Sequence, residues 1–574
     1  MARSHLARHR LVSAILCVSV AWYAPWLVTH ANWREAWLAT PFVLANVLVI
    51  DNVVVSAINS WQQSTPPLAP VVAGQEPPVA VIVPTSGEPL EMVMRTARSV
   101  LEQRWPREQL YLVISDDAHS PRMRAAVRRL QRDYPGADIA YFQPPRRGTT
   151  MRQGEAKAGA LNAALDHILY TRRDIAFIET RDADDLVGDH DFLRQCVGQL
   201  CADARVAFVQ TVKDTRVSAG DPFSDRERLF YRAVMPARNA ANAVFPCGSG
   251  LVWRAEALLD IGGFPVWNLV EDLQSGIEAL RRGWRGVYLP IVGAIGQHAP
   301  EDIPNVYKQR GVWALDTIRL LVWGDLRGLT LRQRLQFFEL GLFYLQSFAV
   351  LAIMLTLTAS FLLNVYPLVA TTADYVLRFW PFALSVELFL ASLNGRLPYA
   401  TLLNARRLWV GLAPVYARAS LQAIFGGRFR KPVYRVTRKT TAHGWYWRDT
   451  LPQTTLFVAL MLSMLFSAAT TPLLRSFDIG SAYWATFFLL FLGSFITHAW
   501  YGVDVVELAL RQVTRRTPVW AWGSLTWAER HAAASLAPHV SHAGAWRDRW
   551  PTAEMSAITM TGSIPVAPRR QGDG

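Results

Sequence analysis

The stretch IAFIETRDAD, residues 175–184, decides how this chain is read. A short apolar run ends there in two carboxylates, Asp182 and Asp184, two positions apart. Side chains two apart in extended chain point the same way, so both acids face one side at the carboxyl end of a strand. A hard divalent cation bridging a phosphate takes one or two such oxygens and keeps water for the rest. Surface turns also produce Asp-x-Asp, so the pair gains its meaning from its neighbours.

Those neighbours extend in both directions. VAVIVP at 79–84 is a continuous apolar strand, followed by helical periodicity through Met92, Val93, Ala97 and Val100. YLVIS at 111–115 is a second strand, ending at Asp116-Asp117; IAYF at 139–142 and VAFVQ at 206–210 are further strands with helices between. Short apolar strands alternating with helices predict a mostly parallel α/β sheet covered on both faces. Such sheets bind ligands at the carboxyl ends of their strands, where Pro84-Thr85, Asp116-Asp117 and Asp182–Asp184 all fall. Taken alone, Asp116-Asp117 reads equally as a solvated turn or a helix cap. Lys157 in GEAKAGALN (154–162) is either a surface lysine at a helix start or an ammonium that joins the first amides in facing an anion. Asn162 would cap or pack that helix. In LVED (269–272), Glu271 and Asp272 open a helix with Leu273, Ile277 and Leu280 on one face. They suit the helix dipole there, and Asp272 also has the chemistry of a general base for an attacking hydroxyl.

The 574 residues exceed what one compact core holds, and hydrophobic residues make up 51%. The apolar content is blocked. Stretches at 11–30, 36–59, 340–363, 451–474 and 481–503 are each long enough to cross a hydrocarbon core of about 30 Å. A sixth, 379–403, carries Glu387 and Arg396; Glu387 reads as a misplaced boundary or as a polar lining of a pore. The net charge of +14 is distributed by topology. Arg3, Arg8 and Arg10 precede the first span, ten Lys or Arg stand against one acid between positions 405 and 450, and Arg511, Arg515 and Arg516 follow the last span. The positive-inside rule then puts both termini and the 61–336 region in the cytoplasm and leaves no role for nucleic acid. A basic, apolar start also resembles a signal peptide, yet its removal would leave the next span delivering residue 61 to the same side. Cys17, Cys196, Cys201 and Cys247 fit no zinc spacing and read as packing residues.

Taken together, PTSGEP (84–89), Asp116-Asp117, AKAG (156–159), DAD (182–184), VQT (209–211), CGSG (247–250), Glu271-Asp272 and QRGVW (309–313) resemble the membrane-embedded family 2 glycosyltransferases of the cellulose synthase and hyaluronan synthase type. The resemblance implies an α/β GT-A (Rossmann-like) cytoplasmic catalytic domain inserted between transmembrane α-helices. Residues 1–60 would form two spans, 61–78 a linker, 79–300 the GT-A domain and 301–339 amphipathic interfacial helices. Two more spans would occupy 340–404, a basic segment 405–450, the last two spans 451–503, and a cytoplasmic, largely disordered tail 504–574. By resemblance Thr85, Glu88, Asp116, Lys157 and Asp182 bind the donor, with Asp116 on the nucleotide base. Asp184 holds Mg²⁺ or Mn²⁺ on the donor diphosphate and Asp272 is the base. Gln309, Arg310 and Trp313 lie near diphosphate and acceptor; Trp313 also suits a membrane-interface aromatic. YRVTRK (434–439) is similar to the family's gating loop, giving Thr437 and Lys439 to the donor; as a polybasic stretch it also suits anionic lipid.

The implied partners are a nucleotide-sugar donor, UDP-linked by resemblance with GDP-mannose open, a glycan or lipid-linked acceptor, the lipid bilayer, and partner subunits for envelope assembly or export. The implied location is the plasma membrane. Two departures matter. Val312 stands where the family's Gln-x-x-Arg-Trp motif has arginine, and valine supplies neither its charge nor its fork, which leaves Arg310 as a candidate replacement. The tail is too short and unpatterned for a cyclic-dinucleotide sensor domain. Growth of a β-glycan with translocation, transfer of one or few sugars to a lipid, and a catalytically silent scaffold therefore all stay open.

Overall fold

The computed structural model describes residues 3–217, 221–300, 302–429, 445–470 and 479–514. Its centre is an eight-stranded sheet of β1 (Val79–Thr85), β2 (Leu110–Asp116), β3 (Asp138–Phe142), β4 (Phe177–Thr180), β5 (Asp185–Val187), β6 (Val206–Thr215), β7 (Leu251–Arg254) and β8 (Arg285–Gly296), in the order β3-β2-β1-β4-β7-β6-β8-β5. β1 pairs in parallel with β2 and β4, β2 with β3, and β6 with β8. β7 runs against both β4 and β6, and β5 against β8. The alternation within β1 shows how the sheet is covered. Val79, Val81 and Val83 pack with the Leu90–Leu101 and Phe192–Ala202 helices, while Ala80 and Ile82 pack with the Ala156–Thr171 helix. Both faces are buried, which is why these strands read as unbroken apolar runs.

Strands β5, β7 and β8 were not expected. β5 has only three residues, and β8 carries Pro290 and exposed Arg285, so neither shows a clean period. β7 is short and fully apolar except for its last residue, a pattern that a buried helix turn shares.

Among the described residues, six helices are long and apolar enough to cross a membrane: Ser4–Thr29, Trp33–Ser60, Leu331–Leu363, Thr372–Asn394, Leu451–Thr470 and Gly480–Trp500. The fourth differs from the expected 379–403. It ends at Gly395, whose φ is +60°, and Pro398 caps a separate helix, Tyr399–Gly411. The third starts earlier than 340, because a reciprocal capping box between Thr330 and Gln333 opens one continuous helix at Leu331. The last helix continues to Thr514, past the expected start of the tail; residues 515–574 lie outside the described residues. The helix Met235–Ala240 is tied to the third span, and the second span to the third. Arg238 donates to the Gln336 carbonyl at 2.7 Å, and Asn59 donates to Glu339 at 2.7 Å.

Candidate active site

The carboxyl ends of β1, β2 and β4 lie side by side, with Thr85 paired to Asp116 and Ile82 to Thr180. A cavity of about 810 Å³ opens at that edge and is lined by Thr85, Glu88, Asp117, Lys157, Asp182, Asp184, Asp272, Gln309, Arg310 and Trp313 among others. The sequence-level candidates therefore converge, with two exceptions. Thr437 and Lys439 lie outside the described residues. Asp116 is buried with its carboxylate committed to the fold: it accepts from the amides of Ala118 (3.1 Å) and Ser120 (2.7 Å) and from the Tyr141 hydroxyl (2.9 Å). Its neighbour Asp117 faces the cavity instead and is ion-paired to Arg147 and Arg152.

Asp182 sits between two ammoniums. Lys157 donates to its Oδ1 at 2.6 Å and Lys213 to its Oδ2 at 2.7 Å. Burial alone would raise the Asp182 carboxyl, but the two lysines outweigh it and hold the group well below the usual carboxylate range. Lys157 lies on the first turn of its helix, donates also to the Gly248 carbonyl at 3.1 Å, and approaches Glu271 at 3.5 Å. A row of alternating charge thus runs Lys213, Asp182, Lys157, Glu271.

The apparently separate motifs of the sequence are props for this row. The Gln210 side chain accepts from the Cys247 amide at 2.7 Å and donates to the Ser249 carbonyl at 3.1 Å. Thr211 donates to the Gly250 carbonyl at 2.7 Å, and the Ser249 hydroxyl accepts from the Asp182 amide at 3.1 Å. VQT and CGSG therefore clamp each other and fix the backbone of the Asp-x-Asp segment. Gly248 has φ +80°, and a Cβ there would lie 3.0 Å from Asp272 Oδ2 and 3.2 Å from Lys157 Nζ. Only glycine lets the backbone pass between Asp272 and Lys157 without strain.

Asp272 opens the Glu271–Arg281 helix and accepts from the Leu273 amide at 2.7 Å. Burial and the Glu271 charge push its pKa up to about 7, against the pull of Lys157. A carboxylate poised there is matched to taking a proton near neutral pH. The loop before it is held by Asp316, which accepts from the amides of Leu269 (2.6 Å) and Val270 (2.9 Å).

Gln309, Val312 and Trp313 line the cavity from the Ile303–Trp323 helix. Arg310, the candidate replacement for the absent arginine, is committed elsewhere. It is ion-paired to Glu227 and Asp225, donates to the Ser224 carbonyl at 3.2 Å, and lies over the Trp313 ring at 4.8 Å. Glu387 also lines the cavity and is paired with Arg406, so its polar character belongs to a lining group inside a helix and not to a misplaced boundary. The space continues among Phe379, Phe382, Trp409 and Trp484 of the apolar helices and their connections.

Sequence reasoning missed Lys213 and Asp185. Asp185 directly follows the Asp-x-Asp, and Lys213 follows the VQT motif by two residues. Their adjacency was available; their convergence on Asp182 was not.

Five carboxylates (Asp182, Asp184, Asp185, Glu271 and Asp272) share this part of the cavity wall with two lysines, Lys157 and Lys213, an excess of negative charge that suits a divalent cation. Among the described residues no group of three or more His, Cys, Asp or Glu side chains is arranged to hold a metal. A hard ion that takes one or two carboxylates and completes its shell with water and phosphate oxygens fits such a donor set.

Residues 77–315 match the family described as glycosyltransferase like family 2. A putative cellulose synthase of Komagataeibacter xylinus is 28% identical over 316 residues, covering 53% of this chain and 19% of that protein. UDP-forming cellulose synthase catalytic subunits of Komagataeibacter sucrofermentans and Pseudomonas fluorescens are each 30% identical, over 43% and 40% of this chain and 32% and 29% of theirs. The alignments thus span under a third of the length of each of these relatives. Among solved structures, a mannosyltransferase of Pyrobaculum calidifontis in complex with GDP-Man and Mn²⁺ is 20% identical, with a TM-score of 0.49 over 67% of this chain and 99% of that one. The mixed sheet with helices on both faces is the GT-A arrangement, and the six apolar helices mark a membrane protein. Residues 77–315 thus carry a family 2 glycosyltransferase domain with apolar helices on either side, and this part of the chain is similar to cellulose synthase catalytic subunits.

Proposed function

We propose that the chain transfers a sugar from a nucleotide-sugar donor to an acceptor hydroxyl with inversion at the anomeric carbon. The observation that carries this reading is the charge row Lys213, Asp182, Lys157, Glu271, with Asp272 next to its end, opening into a cavity continuous with the apolar helices. The acceptor oxygen attacks the anomeric carbon, its proton passes to an Asp272 carboxylate oxygen, and the bond to the diphosphate oxygen breaks with its electron pair left on the diphosphate. Lys157 faces the negative charge that develops there, and Asp117 and Thr85 line the donor side. Asp184, with Asp182 beside it, would hold Mg²⁺ or Mn²⁺, which when bound offsets charge on the departing phosphate oxygens. An α-linked donor gives a β-linked product.

UDP-linked sugars are the expected donors, in keeping with the UDP-forming relatives. Both termini and the catalytic domain are assigned to the cytoplasm by the basic residues that flank the spans. The continuity of the cavity with Phe379, Trp409 and Trp484 supports a growing β-glycan that leaves through the membrane. Val312 favours transfer of one or few sugars to a lipid instead, since no arginine charge stands at that position.

The test uses the purified full-length protein in lipid, labelled UDP- and GDP-sugars, a divalent metal, and sizing of the product. Long polymer identifies a glycan synthase; short, lipid-extractable product identifies the second reading. Absence of turnover with every donor sinks both.

A further inference from the structure

The valine at 312 leaves a question of charge that the geometry answers. Breaking the bond to the diphosphate adds negative charge to the leaving group, and fixed cations aimed at that charge are a large part of catalysis. Arg310 is withdrawn into its cluster with Glu227, Asp225 and the Ser224 carbonyl. Arg147 is held by Asp117 and by the Ser86 hydroxyl at 2.9 Å. Lys213 is placed differently. It lies on β6 where the register with β8 shifts between Gln210 and Val212 and again between Val212 and Lys213. Such irregularities re-aim side chains beside active sites. Here the ammonium reaches Asp182 Oδ2 at 2.7 Å and Asp185 Oδ2 at 2.9 Å, in the wall of the cavity and beside Asp184.

We infer that Lys213 is the second cation of the leaving diphosphate and takes the place of the arginine absent at 312, moving from Asp182 and Asp185 to the phosphates as the donor and its divalent ion bind. The inference rests on the nucleotide-sugar reading above. An ammonium and a divalent ion compete for the same carboxylates, and the stronger charge wins the oxygens. The displaced ammonium is on a flexible four-carbon stem and needs an anion within reach. The diphosphate is the anion that arrives in the same cavity. Asp182 then keeps Lys157 on its other oxygen throughout, so the Asp-x-Asp segment stays in position while Lys213 changes partners.

The experiment compares the full-length wild type with Lys213→Met, Lys213→Gln and Lys213→Arg in lipid. Binding of Mn²⁺ alone is followed by electron paramagnetic resonance, and binding of UDP, GDP and the matching nucleoside at saturating Mn²⁺ by calorimetry. Removing the competing ammonium should tighten Mn²⁺ alone about tenfold, while the loss of one charged hydrogen bond weakens the nucleoside diphosphate about tenfold to a hundredfold. The nucleoside should bind all forms alike, and Lys213→Arg should restore diphosphate affinity. Unchanged diphosphate affinity in both neutral variants, or parallel loss of nucleoside and diphosphate, overturns the role of Lys213 and leaves the donor reading intact. A wild type that binds neither UDP nor GDP overturns the donor reading and this inference with it.

Discussion

Two charged regions face the same cavity and use similar residues to opposite ends. At the strand ends, Lys213, Asp182, Lys157 and Glu271 form a row of alternating charge in the cavity wall, with Asp272 beside it. On the Ile303–Trp323 helix, Arg310 and Asp316 are spent on the protein itself: Arg310 pins the loop at 223–227, and Asp316 pins the amides of Leu269 and Val270. The difference lies in what surrounds each group. Residues at the strand ends pair mainly with one another in the cavity wall, where a charged ligand can exchange partners with them. The helix residues lie against loops whose own amides and carbonyls need partners when buried, and those needs are met first. A charged residue in a motif is therefore not evidence of ligand contact until its competing partners are counted.

The largest test of this contrast is Asp272→Asn, which keeps the shape of the site and removes its base. Sugar transfer at saturating donor should fall about 10²–10⁴-fold, with nucleotide affinity retained; undiminished turnover would break the assignment. Next comes Arg310→Ala. If the helix charges serve the fold, this change strips Glu227 and Asp225 of their partner and costs about 3–5 kcal/mol. It should appear as a lowered unfolding midpoint, with the donor KM of the surviving enzyme little changed. A raised KM without loss of stability would move Arg310 to the strand-edge class.

Gly248→Ala places a methyl group against both Asp272 and Lys157 at a backbone φ of +80°. The strain is on the order of 1–3 kcal/mol, and kcat should drop while thermal stability moves by only a few degrees. The smallest effect is the pH profile. Because burial and Glu271 raise Asp272 to about 7, the base is protonated below that value and charged above it. The rate should rise with pH through neutrality, about tenfold per unit on the acid side, and Glu271→Gln should shift the inflection downward by removing a like charge. A profile flat between pH 6 and 8 would contradict the environment described for Asp272.

Particular residues show how much was legible beforehand. Strands β1 and β2 were legible because both faces are buried and each is a nearly unbroken apolar run, and β4 because Ile175-Ala-Phe-Ile leads into it; the acids at their ends followed from that. β8 hid behind Pro290, and the fourth span was misplaced because Gly395 and Pro398 end one helix and start another inside a single apolar stretch. Adjacent residues at a strand end point opposite ways, and the resemblance favoured Asp116 for the nucleotide base, whereas Asp117 lines the cavity. Which one faces the cavity depends on where Ser120 and Tyr141 come to rest.

The sequence by itself determined the apolar strands that lead to the site, the presence of six apolar spans, the place of the Asp-x-Asp pair and the loss of arginine at 312, because each is written in local pattern: apolar period, span length, residue identity. Only the tertiary structure decided which charges meet. Lys213 meets Asp182 across 31 residues and Arg310 meets Glu227 across 83, and such pairings are set by how strands and helices pack, not by any spacing along the chain.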